Sequence, residues 1–398
     1  MFNCKSRILF VTEDLFIPPR NGSARIYYDT AEKYKCGGHD IFCIAAYRSE
    51  EEANAPGIKD GYSTLFSDVL FIPSLNYRGN AVAKLGLVMR EVARTLSGDV
   101  YTGTPFYTIA LRPFVHSIVD FVRKNEIEVI YFHKPHTVLM LLPLLHQFSS
   151  LEVVVEMHDD FIERAEQYRL TYRSLFSRMD WKHIFARYLG EYVKLVRLSS
   201  LNVLRSRHTE TRLLQYCGKI LVASEEEFGY YRQDPAMKEK VVYHPWQFDQ
   251  APAHVGHTIR ARFDAGFISG DDIMNLDGLV HFCTCVLPGI RVQKPNFRFL
   301  VAGAISTKAL GLVGHLPNVT VSGPVDDLRE FYEAVSVVVI PVRYGTGVSI
   351  KALEAIRSGC RVVSTSKGVR GIAKANLGGI AIADEADQFG ERVLSALH

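Results

Sequence analysis

The stretch "VVVIPVRYGTGVSIKALEAIRSGCRVVS", residues 337–364, joins two β-branched runs through a glycine-punctuated turn and a short helical segment. The runs are apolar without alternation, as strands of a parallel sheet covered on both faces must be. "SVVVIP" ends the first strand, and "SIKALEAIRSG" carries helical spacing closed by Gly359. The "YGTG" turn therefore sits at a strand's carboxyl end and feeds a helix N-terminus. Such a place offers unpaired main-chain N–H groups and the positive end of a dipole. Gly345 and Gly347, on either side of Thr346, let the backbone approach a ligand closely. Lys351 in the opening turns is disfavoured by the dipole unless an anion docks there. Glu354, three residues on, shares its helical face. Two readings stay open: a Lys351–Glu354 pair bonded only to itself, or Lys351 on a phosphate with Glu354 accepting from a sugar's vicinal hydroxyls.

Working outward, the same rhythm fills the chain. Strands read at "RILFVTE", "DIFCIAAY", "DVLFIP", "EVIYFH", "EVVVEMH", "KILVAS" and "KVVYHP", with helical patterns between them. Asn21 or Ser23 could cap the first helix. After a Pro- and His-rich linker at about Pro245–His257 the alternation restarts. It runs through "ARFDAGF", the helix "NLDGLVHFCTCVLP", "FRFLVAG", "VTVSG", "SVVVIP", "RVVSTS" and "GIAIAD". The expected fold is α/β, with two Rossmann-like, doubly wound parallel-sheet domains facing across a cleft. Their expected bounds are 1–250 and 255–385, followed by a C-terminal helix at 386–398. Open parallel sheets bind ligands beyond the carboxyl ends of their strands. In the first domain "EDLFIPPRNGSAR" follows the first strand, so Gly22 could present backbone to a ligand.

Bulk properties exclude several classes. A formal net charge of +3 over 398 residues gives no general reason to bind nucleic acid. Seven cysteines occur without a C-x-x-C pair, which fits reduced thiols in a cytoplasmic protein and no zinc knuckle. The N-terminus has too short an apolar run for a secretory leader. No stretch is expected to supply the ~20 apolar residues of a membrane span. His133 and His136 in "YFHKPH" lack a carboxylate–histidine helix motif and read as structural, so no metal site is expected. His158, at the end of "EVVVEMH", reads from its surroundings alone as a core histidine.

One segment, about 161–215, is helical throughout and rich in cations, from Arg169 to Arg207, with interleaved aromatics such as Tyr168, Tyr172 and Phe176. It reads either as helices with a solvated basic face or as a surface for anionic lipid. Assigned to the first domain, it makes a peripheral position at the inner membrane face a further expectation.

The run from Leu316 to Ile372 resembles the donor-binding half of family-four-like retaining glycosyltransferases, the glycosyl transferases group 1 with the GT-B fold. The matching elements are "GPVDDL", "PVR", "GTG", "KALEA" and "GCRVVST". The N-terminal half is compatible through its "P-x-x-G" loop, "GGHD" and "VEMHDD". The resemblance implies that Glu354 holds the ribose of a nucleoside diphosphate sugar of UDP or GDP type. It implies that Gly345, Thr346, Gly347, Val348 and Ser349 present backbone to the donor, and that Arg343 and Lys351 neutralise the diphosphate without a metal. Val325 would meet the base, His158 would lie near the sugar, and Arg370 would be near the diphosphate. Two departures stand out: Thr346 replaces the first motif glutamate, and "AGFISGDDIMNLDG" has acids where the family carries a basic pair.

The expected function is transfer of a sugar, with retained configuration, to a lipid-linked or polysaccharide acceptor hydroxyl. No cofactor beyond the sugar nucleotide is expected. The alternatives are a non-catalytic partner subunit of the same fold and a sugar-nucleotide epimerase. A nicotinamide dehydrogenase is disfavoured, because no G-x-G-x-x-G follows the first strand.

Overall fold

The computed structural model describes residues 5–19, 22–74, 81–101, 114–148, 150–177, 192–246, 261–270, 272–305, 311–325, 327–373 and 377–398. The chain divides into two compact units. The first is Met1–Ile162 with Ser200–Pro245, and the second is Glu163–Ser199 with Trp246–His398.

The first unit is built on seven strands: β1 Arg7–Thr12, β2 Asp40–Tyr47, β3 Asp68–Pro73, β4 Val129–His133, β5 Glu152–Met157, β6 Lys219–Val222 and β7 Val241–Tyr243. They pair in the order β3-β2-β1-β4-β5-β6-β7, and every pairing is parallel. Strand β1 explains the unbroken apolar run. Ile8 and Phe10 enter one core cluster with Tyr27, Tyr34 and Tyr62, whereas Leu9 and Val11 enter another with Phe132, Leu141 and Phe148. Successive side chains point to opposite faces, so a strand covered on both sides must be apolar at every position.

The second unit has six strands: β8 Phe263–Ile268, β9 Phe299–Ala302, β10 Val319–Gly323, β11 Val335–Ile340, β12 Arg361–Ser364 and β13 Ile380–Ile382. Their order is β10-β9-β8-β11-β12-β13, again parallel throughout. The helix Ile350–Arg357 follows β11 and stops at Gly359, which takes φ +68°. The helix Ala386–Ser395 ends the chain's regular structure.

Two expectations change. The helix Ile273–Gln293 is long and apolar enough by length and composition to cross a membrane. Its Leu276, Leu279, Phe282, Leu287 and Ile290 are buried in the second unit, so its apolar character is that of a core helix. The basic segment does not stay with the first unit either, because Glu163–Ser199 groups with the second. The reason is local. Tyr168 donates to Asp272 at 2.5 Å, Gln167 accepts from Gly345 N at 3.4 Å, and Ser174 accepts from Arg343 at 3.0 Å. Tyr172 is buried, so neither it nor Tyr168 is a free aromatic anchor. Arg178, Lys182 and Arg187 of that segment, Asn21 and most of the expected linker lie outside the described residues.

Candidate functional site

In the second unit the chain runs outward from β8 to β10 and then returns to β11 on the other side of β8. That reversal is the place where an open parallel sheet receives ligands. Ser269 follows β8, and the 341–349 loop follows β11 and leads into the helix Ile350–Arg357. Ser349 stands at that helix's N-cap without a side-chain capping bond, so the first-turn N–H groups lack the usual acceptor.

Lys351 points to the same reversal. Its Nζ donates to Ser269 Oγ at 3.1 Å and to Asn275 Oδ1, and it lies 5.4 Å from the centre of the Phe267 ring. Both hydrogen-bond partners are neutral. Burial pushes its pKa down to about 8, opposed by Asp272 and Glu354 and assisted by Arg370. Glu354 is half-buried near the Tyr332 phenol, whose pKa is raised by burial first and by the Glu354 charge second. The Lys351–Glu354 pair bonded only to itself is thus not what forms.

Arg343 is held differently. Its Nη2 reaches both Asp277 oxygens at 2.7 Å, its Nε reaches Oδ2 at 3.0 Å, and Asp277 is buried. Its charge is locally neutralised, in contrast to the role expected from the sequence. The acids of "GDDIMNLDG" also find uses: Asp272 caps its helix through Met274 N at 2.8 Å, and Asp277 anchors Arg343.

The glycines of the turn serve Arg370. Its Nε donates to Gly347 O at 2.7 Å, its Nη2 to Thr346 O and its Nη1 to Lys367 O at 3.3 Å. A Cβ on Gly345, which takes φ +151°, would stand 2.5 Å from Arg370 Nη1. Arg370 O in turn accepts from Ser349 N at 3.1 Å. Gly345, Thr346 and Gly347 are accordingly buried, while Val348 and Ser349 remain half-exposed beside the helix start. Val325 is half-exposed just past β10, after Gly323 at φ +81°.

The first unit has its own reversal, between β1 and β4. Beyond it Glu13 accepts from Lys134 Nζ at 2.5 Å and contacts His136 Nε2. Burial would raise the Glu13 pKa, but the charges of His136 and Lys134 hold it well below the usual carboxylate range. Lys134 takes φ +78°, a region that costs a non-glycine residue roughly 1–3 kcal/mol. Neither feature carries a sequence signal. Gly22 is the first residue of the helix Gly22–Cys36 and is half-buried.

His158 follows β5 and is buried, with its ring 5.1 Å from that of Tyr27. His133 Nδ1 and His158 Nε2 lie 3.0 and 3.7 Å from the same oxygen, Glu156 Oε2. Burial lowers the His133 pKa to about 4, and contacts with the two histidines overcome burial to hold Glu156 ionised. The donor atoms of His133, Glu156 and His158 lie within 4.8 Å of one another. Imidazole and carboxylate are zinc-type ligands, and these spacings would let the three residues share one ion.

Residues 262–398 match the family model described as glycosyl transferases group 1. An uncharacterised 44.6 kDa protein in the cps region of Klebsiella pneumoniae is 26% identical over 164 residues, 39% of this chain. That alignment spans 40% of the relative's own length. Among solved structures, HepE from Anabaena, in complex with UDP and glucose, is similar at TM-score 0.58 and 12% identity, covering 99% of this chain and 90% of that one. Sucrose-phosphate synthase from Thermosynechococcus elongatus gives 0.58 and 13%, covering 99% and 94%. WaaG, a glycosyltransferase involved in lipopolysaccharide biosynthesis, gives 0.53 and 13%, covering 98% and 90%. The second unit matches the glycosyl transferases group 1 model, and the chain as a whole has the two-sheet GT-B fold.

Proposed function

We propose that this protein transfers a sugar from a nucleoside diphosphate sugar to an acceptor hydroxyl, using the carboxyl edge of the second sheet as its donor site. The observation that supports this most directly is Lys351, an ammonium held only by neutral oxygens beside a helix start with no side-chain cap. A diphosphate arriving there gains a cation whose hydrogen bonds go to neutral oxygens and whose charge Asp272 and Glu354 offset only in part, together with first-turn N–H groups. Glu354, on the same helix, accepts from the ribose hydroxyls. Arg343, tied to Asp277, orders the loop after β11 rather than supplying net charge.

Lys351 and the helix end stabilise charge on the departing diphosphate, which is the main demand of the reaction. The bond from the anomeric carbon to the phosphate oxygen breaks as the bond to the acceptor oxygen forms on the same face, retaining configuration. The acceptor's proton passes to the departing phosphate. This chemistry asks for no metal at the diphosphate. The similar protein in a cps region and the lipopolysaccharide enzyme WaaG support a glycan or lipid-linked acceptor.

A thermal-shift panel of UDP-, GDP- and dTDP-sugars tests the donor site and identifies the base. Glu354→Ala is expected to remove the stabilisation by the best nucleotide, and unchanged binding and turnover in that variant would refute the site. A non-catalytic subunit of the same fold is the second reading, because Arg370 occupies the glycine turn from within. Stabilisation by a sugar nucleotide without transfer to any acceptor favours that reading.

A further inference from the structure

The helix Ala81–Ser97 in the first unit faces the wrong way for a helix of a water-bathed surface. Leu85, Val88, Met89, Val92 and Leu96 are between 44% and 82% exposed. At 100° per residue they fall within an arc of about 100°, the width of a stripe that normally faces a core. The charged face is turned inward instead. Arg90 is buried, and Glu91 accepts from Arg90 at 3.3 Å and from Arg94 at 3.1 Å. Every exposed residue among those of this helix whose burial is described is large and apolar. Contiguous apolar surface of this kind marks a docking face, whereas single exposed side chains do not.

The stripe continues onto a second helix, Val203–Leu214. Arg205 donates to Ser97 O at 2.9 Å, Asn202 N donates to Gly98 O at 2.7 Å, and the neighbouring Leu204 is 84% exposed. Beyond Leu204 the outward side of that helix presents Arg205, His208 and Arg212, all exposed. Among the described residues of the two helices no acid is exposed. The surface thus pairs an aliphatic stripe with a cationic border.

We propose that this face docks on an anionic lipid bilayer, with the stripe entering the acyl boundary and the arginines resting among the headgroups. An amphipathic helix lying in the interface plane needs that combination. A second copy of the chain fits less well, because the same face offers no exposed acid to meet Arg205 and Arg212. The docking face stands independently of the transfer reaction; a lipid-linked acceptor as its purpose rests on that reading.

The test is sedimentation of the full-length protein with vesicles of phosphatidylcholine alone or mixed with phosphatidylglycerol. Low and high salt are compared, where the screening length falls from about 10 Å to about 3 Å. Binding to the anionic vesicles that weakens with salt is expected. The exposed pair Val88→Glu with Met89→Glu should lower partitioning at least about tenfold, and Arg205→Glu with Arg212→Glu should remove the preference for anionic lipid. Stabilisation of these variants by a sugar nucleotide should match the parent, which separates loss of docking from loss of the donor site. Equal sedimentation of the Val88/Met89 variant, or none by the parent, overturns the proposal. So does a dimer in sedimentation velocity that the same variant dissolves.

Discussion

The two sheets reverse at equivalent places but equip them with opposite electrostatics. Past β1 and β4 a carboxylate, Glu13, is enclosed by Lys134 and His136, and a second, Glu156, is shared by His133 and His158. Past β8 and β11 Arg343 is cancelled by buried Asp277, Arg370 is bonded to main-chain oxygens, and Lys351 has, among the described residues, Ser269 and Asn275 as its hydrogen-bond partners. In the first arrangement each carboxylate is already held ionised by the groups around it. The second keeps an ammonium whose hydrogen bonds go to neutral oxygens, and its lowered pKa records the cost of burial, which the charges of Asp272 and Glu354 offset only in part. An anion that binds there relieves the cost, whereas an anion at the first reversal would meet two ionised carboxylates.

The contrast can be broken at its fixed pair. Asp277→Ala leaves Arg343 beside a buried void, and a loss of about 3 kcal/mol in denaturant unfolding is expected, the low end for a broken buried pair because Arg343 is partly exposed. A loss near zero would mean that the arginine finds water or another acceptor, and the cancelled-cation description would fail.

Lys351 sharpens it next. Lys351→Met should weaken nucleoside diphosphate binding by about 2 kcal/mol, the range for a charged hydrogen bond. Binding by the parent should fall as pH rises through about 8, since the ammonium is the form that meets the phosphate. Stability runs the other way. The folded pKa lies below the ordinary lysine value of 10.5, so the unfolded chain binds more protons between the two, and stability rises with pH across that window. Both slopes should vanish in Lys351→Met, and persistence of either would assign it to another group.

The smallest effect concerns Lys134. Glycine and alanine both delete its contact with Glu13, but only glycine accepts φ +78° freely. Lys134→Gly should therefore be more stable than Lys134→Ala by about 1 kcal/mol. Equal stabilities would show that the backbone relaxes.

What could be read from the letters follows from how local each cause is. All thirteen strands described stand where apolar runs lie between turn residues; central strands such as β1 and β11 are covered on both faces and have no freedom to be polar. The strand–turn–helix order also located the 341–351 segment at a strand's carboxyl end. Partner choice among charges was not local. Arg343 lies 66 positions from Asp277, and nothing in "PVR" distinguishes a cation that is cancelled from one that is spare. The bonds of Arg370 go to main-chain oxygens, which every residue offers, so its place in the turn carries no sequence signal. In the helix Ala81–Ser97, likewise, spacing fixes which side chains share a face and leaves open which way that face looks.

Because Glu163–Ser199 counts with the second unit, the chain cannot be dissected with one cut. A fragment beginning at Trp246 would keep all six strands of the second sheet. It would lack Gln167, Tyr168 and Ser174, whose side chains hold Gly345 N, Asp272 and Arg343. Such a piece could retain its core and still lose the arrangement of its loops, so a recombinant half-molecule that fails to bind nucleotide would say nothing against the intact protein.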